Sequence, residues 1–295
     1  MHDDQLAIEV DQVAALVAEA LPQFAGLLVE HLPGSGTVNA IFRVGDLLTV
    51  RFPLRPDDPE ATRVVLEREA EAAAELALVC PFPTPRPVLV GAPGHGYPVP
   101  WSAQTWLDGR TATPRSCENS AAFAHDLASL IQALRGTDTR GRRFAGAGRG
   151  GILTDHDPWM EECFAMSEGL ADTDALRLLW ESLRTLPRED PDVMSHTDLI
   201  PGNLLVDSDR LVGVLDGGGF RAADPALDLV CAWHLLGTDA REVLRRELSC
   251  TDLQWARGQA WAFEQAMGAF WYYERTNPPM AEMGRTTLSR LLGEG

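Results

Sequence analysis

The sequence predicts an α+β chain in two lobes, a small β-rich N-terminal lobe and a larger, mostly helical C-terminal lobe. Three observations carry this prediction. Apolar residues alternate on either side of Gly45-Asp46, the pattern of two strands joined by a turn. From about Asn119 onward the apolar spacing becomes predominantly helical. Between these regions lies a Pro-rich stretch, 81–87, that neither pattern can cross. The 295 residues suffice for one large domain or for two lobes around a cleft. The expected division is 1–106, with a hinge at its end, and 107–295.

Taken in order, Val10, Val13, Val17 and Leu21 give an amphipathic helix over 8–21. Gly34-Ser35-Gly36 leads into a strand at 40–44, and 47–52 returns as its partner. A second helix is predicted from about Asp58, a fitting N-cap followed by Pro59, to Val79, with Pro81 beyond its end. Residues 88–107 are expected to hold two more short strands, around 91–96. The C-terminal lobe reads as helices over 120–135, 158–168, 173–185, 225–236, 252–274 and 280–292. A β-rich patch interrupts it at 194–195, 204–206 and 211–215. The Gly- and Arg-rich stretch 136–151 reads as a loop.

Composition excludes several classes of function. The formal net charge of −18 repels nucleic acid and anionic membranes and favours cationic ligands, although acidity also serves plain solubility. No apolar run approaches the roughly 20 residues of a membrane span. The acidic start lacks a signal core, and five scattered cysteines form no Cys-x-x-Cys pair. Reduced thiols in a cytoplasmic protein are therefore expected, with no zinc site, no membrane and no nucleic acid partner. A monomer and a dimer are equally compatible with the sequence.

The segment 195–206, Ser-His-Thr-Asp-Leu-Ile-Pro-Gly-Asn-Leu-Leu-Val, carries chemistry. Asp198 and Asn203 stand five apart across a Pro-Gly turn that cannot be helical. A strand, a turn and a second strand follow, and Asp216 ends the second strand. Such a hairpin returns its last residue toward its first, so Asp198, Asn203 and Asp216 are expected to converge. Two carboxylates and an amide supply hard oxygen donors suited to Mg2+. In phosphoryl transfer one Asp accepts the proton of the attacking hydroxyl while an Asn and another Asp hold the metal. A turn of this composition also arises for local reasons alone.

This segment resembles the catalytic loop and metal-binding strand of the aminoglycoside phosphotransferase family, macrolide phosphotransferase-like members included. The family pattern runs His-Gly-Asp, four residues, Asn, two strands and Asp. Ala223-Asp224-Pro225-Ala226-Leu227-Asp228-Leu229 resembles the family's following segment. The resemblance implies a protein-kinase-like fold and ATP or GTP as donor. It implies Asp198 as base, Asn203 and Asp216 as Mg2+ ligands, and Asp224 and Asp228 as structural residues. His196 is expected to bond loop backbone. Three positions depart from the pattern: Thr197 replaces a Gly, Gly217 stands where protein kinases have Phe, and Arg51 stands where a nucleotide-binding Lys is usual.

Arg51 lies at the end of the apolar strand 47–50, and guanidinium binds phosphate well. Glu69 interrupts the apolar helix face made by Leu66, Ala73 and Leu76, so it needs a partner. An Arg51–Glu69 pair beside the nucleotide phosphates is the expectation; the alternative places both at the surface. Ser35, within Gly-Ser-Gly, is expected to cover the phosphates, although a plain turn has the same composition. By the resemblance, the backbone of Gln104, Thr105 and Trp106 meets the nucleotide base, unless Trp106 is core. His125, His156 and His234 are assigned no chemistry. Glu264 and Glu274, on or beside an aromatic-rich helix, are candidates to face the acceptor. The acceptor is expected to be a hydroxylated, cationic small molecule, such as an aminoglycoside, bound in an acidic pocket. A metabolite kinase acting on an amino alcohol or sugar is the alternative, followed by a nucleotide-binding pseudokinase without turnover.

Overall fold

Alternation at period two builds the first sheet, because Phe42, Val44, Leu48, Val50 and Phe52 all bury on one face. The computed structural model describes residues 6–32, 38–55, 58–144, 146 and 148–293. The chain divides into two compact units. Unit 1 comprises Met1–Leu78, Pro83–Asp108 and Asp216–Gly218; unit 2 comprises Val79–Phe82, Gly109–Leu215 and Gly219–Gly295. The architecture is α+β, an antiparallel sheet in the N-terminal region and a helical C-terminal part.

In unit 1, helix α1 (Val10–Ala20) precedes strands β1 (Val29–His31), β2 (Asn39–Val44) and β3 (Leu48–Pro53). Helix α2 (Pro59–Val79) follows, then β4 (Pro87–Gly91) and β5 (Trp101–Thr105). The sheet order is β1-β2-β3-β5-β4, all antiparallel. The last two strands occupy the two ends of the expected stretch 88–107 and flank residues 91–96, and β1 is a strand beyond those expected. Val13 and Val17 of α1 pack with Phe42, Val50, Phe52 and Trp101. Phe52 stacks on Trp101 with ring centroids 5.3 Å apart. Burial of each such side chain contributes about 1.5–3 kcal/mol. Gly91 is required here, because a Cβ would lie 2.3 Å from Trp101 Cε2. Asp58 Oδ1 caps α2 by accepting from Ala61 N at 2.9 Å.

Unit 2 begins with the short β6 (Arg110–Thr111) and α3 (Ala121–Arg135), capped by Ser120. Helices α4 (Asp157–Met166) and α5 (Thr173–Leu183) lead to β7 (Val193–Ser195). The hairpin β8 (Leu204–Asp207) and β9 (Arg210–Val214) follows, then β10 (Arg221–Ala223), which pairs with β7. The chain closes with α6 (Val230–Leu235), α7 (Thr238–Glu247), α8 (Asp252–Tyr272) and α9 (Pro278–Leu291). Helix α6 starts later than expected because Asp224 accepts from Ala226 N through its side chain and from Leu227 N through its backbone, forming a turn first. Helix α7 escaped the periodicity because only Ala240 and Leu244 bury from it. Asp126 of α3 anchors the hairpin by accepting from Arg210 Nε at 2.7 Å and Leu211 N at 3.1 Å.

All five cysteines lie in unit 2 and are free. Burial pushes the Cys163 thiol up to about 12 and that of Cys231 higher than an ordinary thiol. Among the described residues no helix is long and apolar enough to cross a membrane.

Candidate active site

The loop after β7 is held by its backbone. Asp228, buried beside α6, accepts from His196 N at 3.0 Å and from Thr197 N at 2.9 Å. Thr197 has φ +73°, in the left-handed region where a β-branched residue is strained. That conformation accounts for the glycine usual at this position. Here the threonine is retained by Asp228 and by its own hydroxyl, which donates to Gly219 O at 3.2 Å. His196 is fully buried and its Nε2 donates to Leu215 O at 2.8 Å, binding loop to hairpin.

Asp198 emerges from this loop with its carboxylate surrounded by donors. Oδ1 accepts from Arg149 at 3.0 Å and from Gln265 Nε2 at 2.7 Å. Oδ2 accepts from Asn203 Nδ2 at 2.9 Å. A carboxylate has about four acceptor positions, so Oδ2 keeps one for a hydroxyl. Asn203 Nδ2 also donates to Asp198 O at 2.9 Å. With both amide hydrogens used, Asn203 Oδ1 is left as a hard oxygen donor. Leu215 N donates to Asn203 O at 2.8 Å, which brings the end of β9 to Asn203, and Asp216 is the next residue.

Gln265 is held from behind. Its Oε1 accepts from His234 Nε2 at 3.1 Å, and Thr287 donates to His234 Nδ1 at 2.8 Å. Burial drives the His234 pKa down to about 3, so the imidazole is neutral and can play both parts. No local sequence pattern marks this relay, because its members come from three helices.

In unit 1, Arg51 points from the sheet face opposite Phe52. Its direct ion pair among the described residues is with Asp216, Nη1 to Oδ1 at 2.8 Å. Burial works against the cation, but the charge and hydrogen bond of Asp216, with Glu69 adding, hold its pKa above the ordinary value. Burial likewise raises the Glu69 carboxyl, Arg51 pulls it back, and Asp216 adds to the rise. Glu69 is half-buried on α2, while Glu67 and Glu71 are exposed. Asp216 adopts φ +57° and is followed by Gly217, where a Cβ would sit 2.6 Å from Leu76 Cδ2. Leu76 thus fills the space that a side chain at 217 would need.

Gln104 and Thr105, expected at a hinge, end β5, and Trp106 N donates to Leu47 O at 2.8 Å. Thr105 N is also used, donating to Arg86 O at 2.9 Å. Trp106 is not core: it is partly exposed, under the Arg43 guanidinium at 4.6 Å, and its Nε1 donates to Asp108 at 2.8 Å. Ser35 lies outside the described residues.

A cavity of about 350 Å³ opens beside Asp198 within unit 2, lined by Gly148, Arg149, His156, Asp198, Arg221 and Glu264. Its charge differs from the acidic pocket expected: three basic side chains face two carboxylates. Arg149 comes from the Gly- and Arg-rich loop 136–151. His156 Nδ1 bonds Glu264 Oε1 at 2.9 Å. That hydrogen bond, against the cost of burial and with the Glu264 charge adding, raises the His156 pKa above its ordinary value. Glu264 was a sequence candidate and does line the cavity; Glu274 is exposed just beyond the end of α8.

The family model for the phosphotransferase enzyme family matches residues 31–263. The chain belongs to this phosphotransferase family. It is accordingly an enzyme of kinase type. The fold is shared with the GDP complex of wild-type aminoglycoside 2'-phosphotransferase-IIIa, at 18% identity over 97% of this chain and 99% of that one, TM-score 0.70. The streptomycin–ATP ternary complex of APH(2")-IIa gives 18% identity over 97% of each chain and TM-score 0.60. The apoenzyme of a macrolide 2'-phosphotransferase from Brachybacterium faecium gives 19% identity, 95% and 98% coverage and TM-score 0.59. No curated protein matches the sequence.

Proposed function

We propose that this phosphotransferase moves the γ-phosphate of ATP or GTP to a hydroxyl of a small molecule, with Asp198 as base. The observation that carries the reading is the Asp198 carboxylate, fixed by three donors and facing a cavity with one acceptor position open on Oδ2. A hydroxyl donating there is oriented for attack. Its oxygen bonds the γ-phosphorus, the bond to the β–γ bridging oxygen breaks, and the hydroxyl proton passes to Asp198 Oδ2. The nucleoside diphosphate leaves with the bridging oxygen.

The carboxylate of Asp216 and the free Oδ1 of Asn203 are hard oxygens and fit Mg2+. They would hold it, and when bound it neutralises charge on the phosphates. Arg51, electrostatically coupled to Glu69, contributes cationic charge to the nucleotide side. Aminoglycosides and macrolides, the compounds named with the structural neighbours, are the first acceptors to test. The basic side chains in the cavity favour a second reading, a kinase of an ordinary hydroxylated metabolite.

The test is nucleotide consumption across aminoglycosides, macrolides, amino alcohols and sugars, with the product identified by 31P NMR. Acceptor-dependent formation of a phosphate monoester, lost in Asp198→Ala, is expected. Product formation at the full rate in Asp198→Ala would refute the assignment of the base.

A further inference from the structure

Arg221 stands on β10, hydrogen-bonded to the catalytic loop's own strand through the pairing of Arg221 with Ser195. It lines the cavity beside Asp198. Among the described residues it makes no ion pair with a carboxylate. Its polar contact is Nη2 to Arg149 O at 3.4 Å, and the Phe144 ring lies 6.0 Å from the guanidinium carbon. The chain has 43 acidic and 25 basic side chains, so carboxylates are plentiful. An arginine left without one, beside a second arginine, is a cost that a ligand can offset.

We propose that Arg221, with Arg149, forms an anion subsite for a carboxylate or phosphate group of the acceptor. The inference rests on the phosphotransferase reading and narrows its substrate class to hydroxylated molecules with an acidic group near the reacting hydroxyl. Arginine's planar fork suits both kinds of oxyanion. Burial and the nearby Arg149 charge lower the Arg221 pKa, as befits a cation short of a counter-charge. Beside them, Glu264 is buried, and its Oε2 lies 3.9 Å from Arg149 Nη1. Arg149 therefore already faces Asp198 and Glu264, and Arg221 is the cation left for the ligand. An acidic acceptor matches Arg221, whereas a polycation leaves it unmatched.

An oxyanion in this cavity has two sources, the acceptor's acidic group or the transferred phosphoryl group. The experiment separates them. Inorganic phosphate is titrated against the full chain saturated with Mg2+ and AMP-PNP, while the arginine Nε–H signals are followed by NMR. Saturable shifts of Arg221 and Arg149 are expected, weakened about 10- to 100-fold in Arg221→Gln. The Arg221 side chain keeps part of its surface in solvent and makes no ion pair among the described residues, so the variant should fold, and far-UV circular dichroism checks that. Phosphate that binds only without AMP-PNP assigns the arginines to the transferred group and overturns the proposal, as does no saturable binding.

A second arm compares kcat/KM for glycerate against glycerol, serine against ethanolamine, and glucuronate against glucose. The acidic member is preferred, and Arg221→Gln reduces that preference about 10- to 100-fold. Turnover of neutral members without phosphate binding would leave the phosphotransferase standing and remove the anion subsite. Phosphate binding without acceptor-dependent turnover of any kind would do the reverse.

Discussion

The pair Arg257–Asp224 is buried to 3% and 2% exposure, and breaking it should be costly in a way that is not additive. Arg257 Nε reaches Asp224 Oδ2 at 2.9 Å, and Nη2 contacts the same oxygen. Nη1 donates to Leu186 O at 2.7 Å and Nη2 to Gly151 O at 3.2 Å. Trp261 Nε1 adds a third donor to Asp224 at 3.0 Å. In Arg257→Leu the stranded carboxylate costs about 3–5 kcal/mol, and the buried Gly151 carbonyl about 1 kcal/mol more. Leu186 and Pro187 are exposed enough for water to replace the guanidinium. In Arg257→Leu/Asp224→Leu no charge is stranded, and the remaining cost is the unmet Trp261 and Ala226 N–H groups, about 2–3 kcal/mol, with about 1 kcal/mol again for the Gly151 carbonyl. The double variant should therefore be more stable than Arg257→Leu alone. Urea unfolding followed by tryptophan fluorescence and far-UV circular dichroism measures both. Additive losses, within about 0.5 kcal/mol, would refute the reasoning.

Asp198→Ala should lower kcat by roughly 10²–10⁴ and leave nucleotide binding, measured by calorimetry, unchanged. Arg51→Ala should raise the KM for nucleotide more than that for acceptor, and Arg51→Lys should recover part of the loss, because charge is kept and the fork is not. The reverse order of KM effects would remove Arg51 from the nucleotide side. The His156–Glu264 pair should stabilise unit 2 in a pH-dependent way. The folded pKa of His156 is raised, so this contribution is complete below about 6.5 and is lost as pH rises through the raised value. Unfolding midpoints from pH 5.5 to 9 should fall more in the wild type than in His156→Gln; parallel profiles would contradict it.

Where residues lie close in sequence, the site was legible. Asp198 and Asn203 bond across one turn, and the hairpin that carries Asp216 announces itself by two apolar runs around a polar turn. The alternation that makes β3 also fixed which face Arg51 uses. Its direct partner proved to be Asp216 at 2.8 Å, with Glu69 acting through its charge. That ranking depends on distances no helix periodicity contains. Arg149, His156, Arg221 and Gln265 meet at Asp198 from a loop, a helical turn, a three-residue strand and α8, so nothing local marks them. Strands β1, β6 and β10 were invisible for a simpler reason: two or three residues cannot establish a period. Thr197 shows the converse, since an unusual residue in the motif became intelligible only once its φ was known.

The placement of the cysteines makes the two units separately observable. Every thiol belongs to unit 2, and Cys117, Cys163 and Cys231 are buried. A thiolate is the form that reacts, so burial and a raised pKa together silence these groups while unit 2 stays closed. Pulsed alkylation with mass readout then clocks the opening of unit 2 alone, helix by helix, at α4 and α6. Unit 1 is blind to that chemistry and carries Trp101 and Trp106 instead, so a cysteine placed in its sheet would supply the missing clock without interference from native thiols.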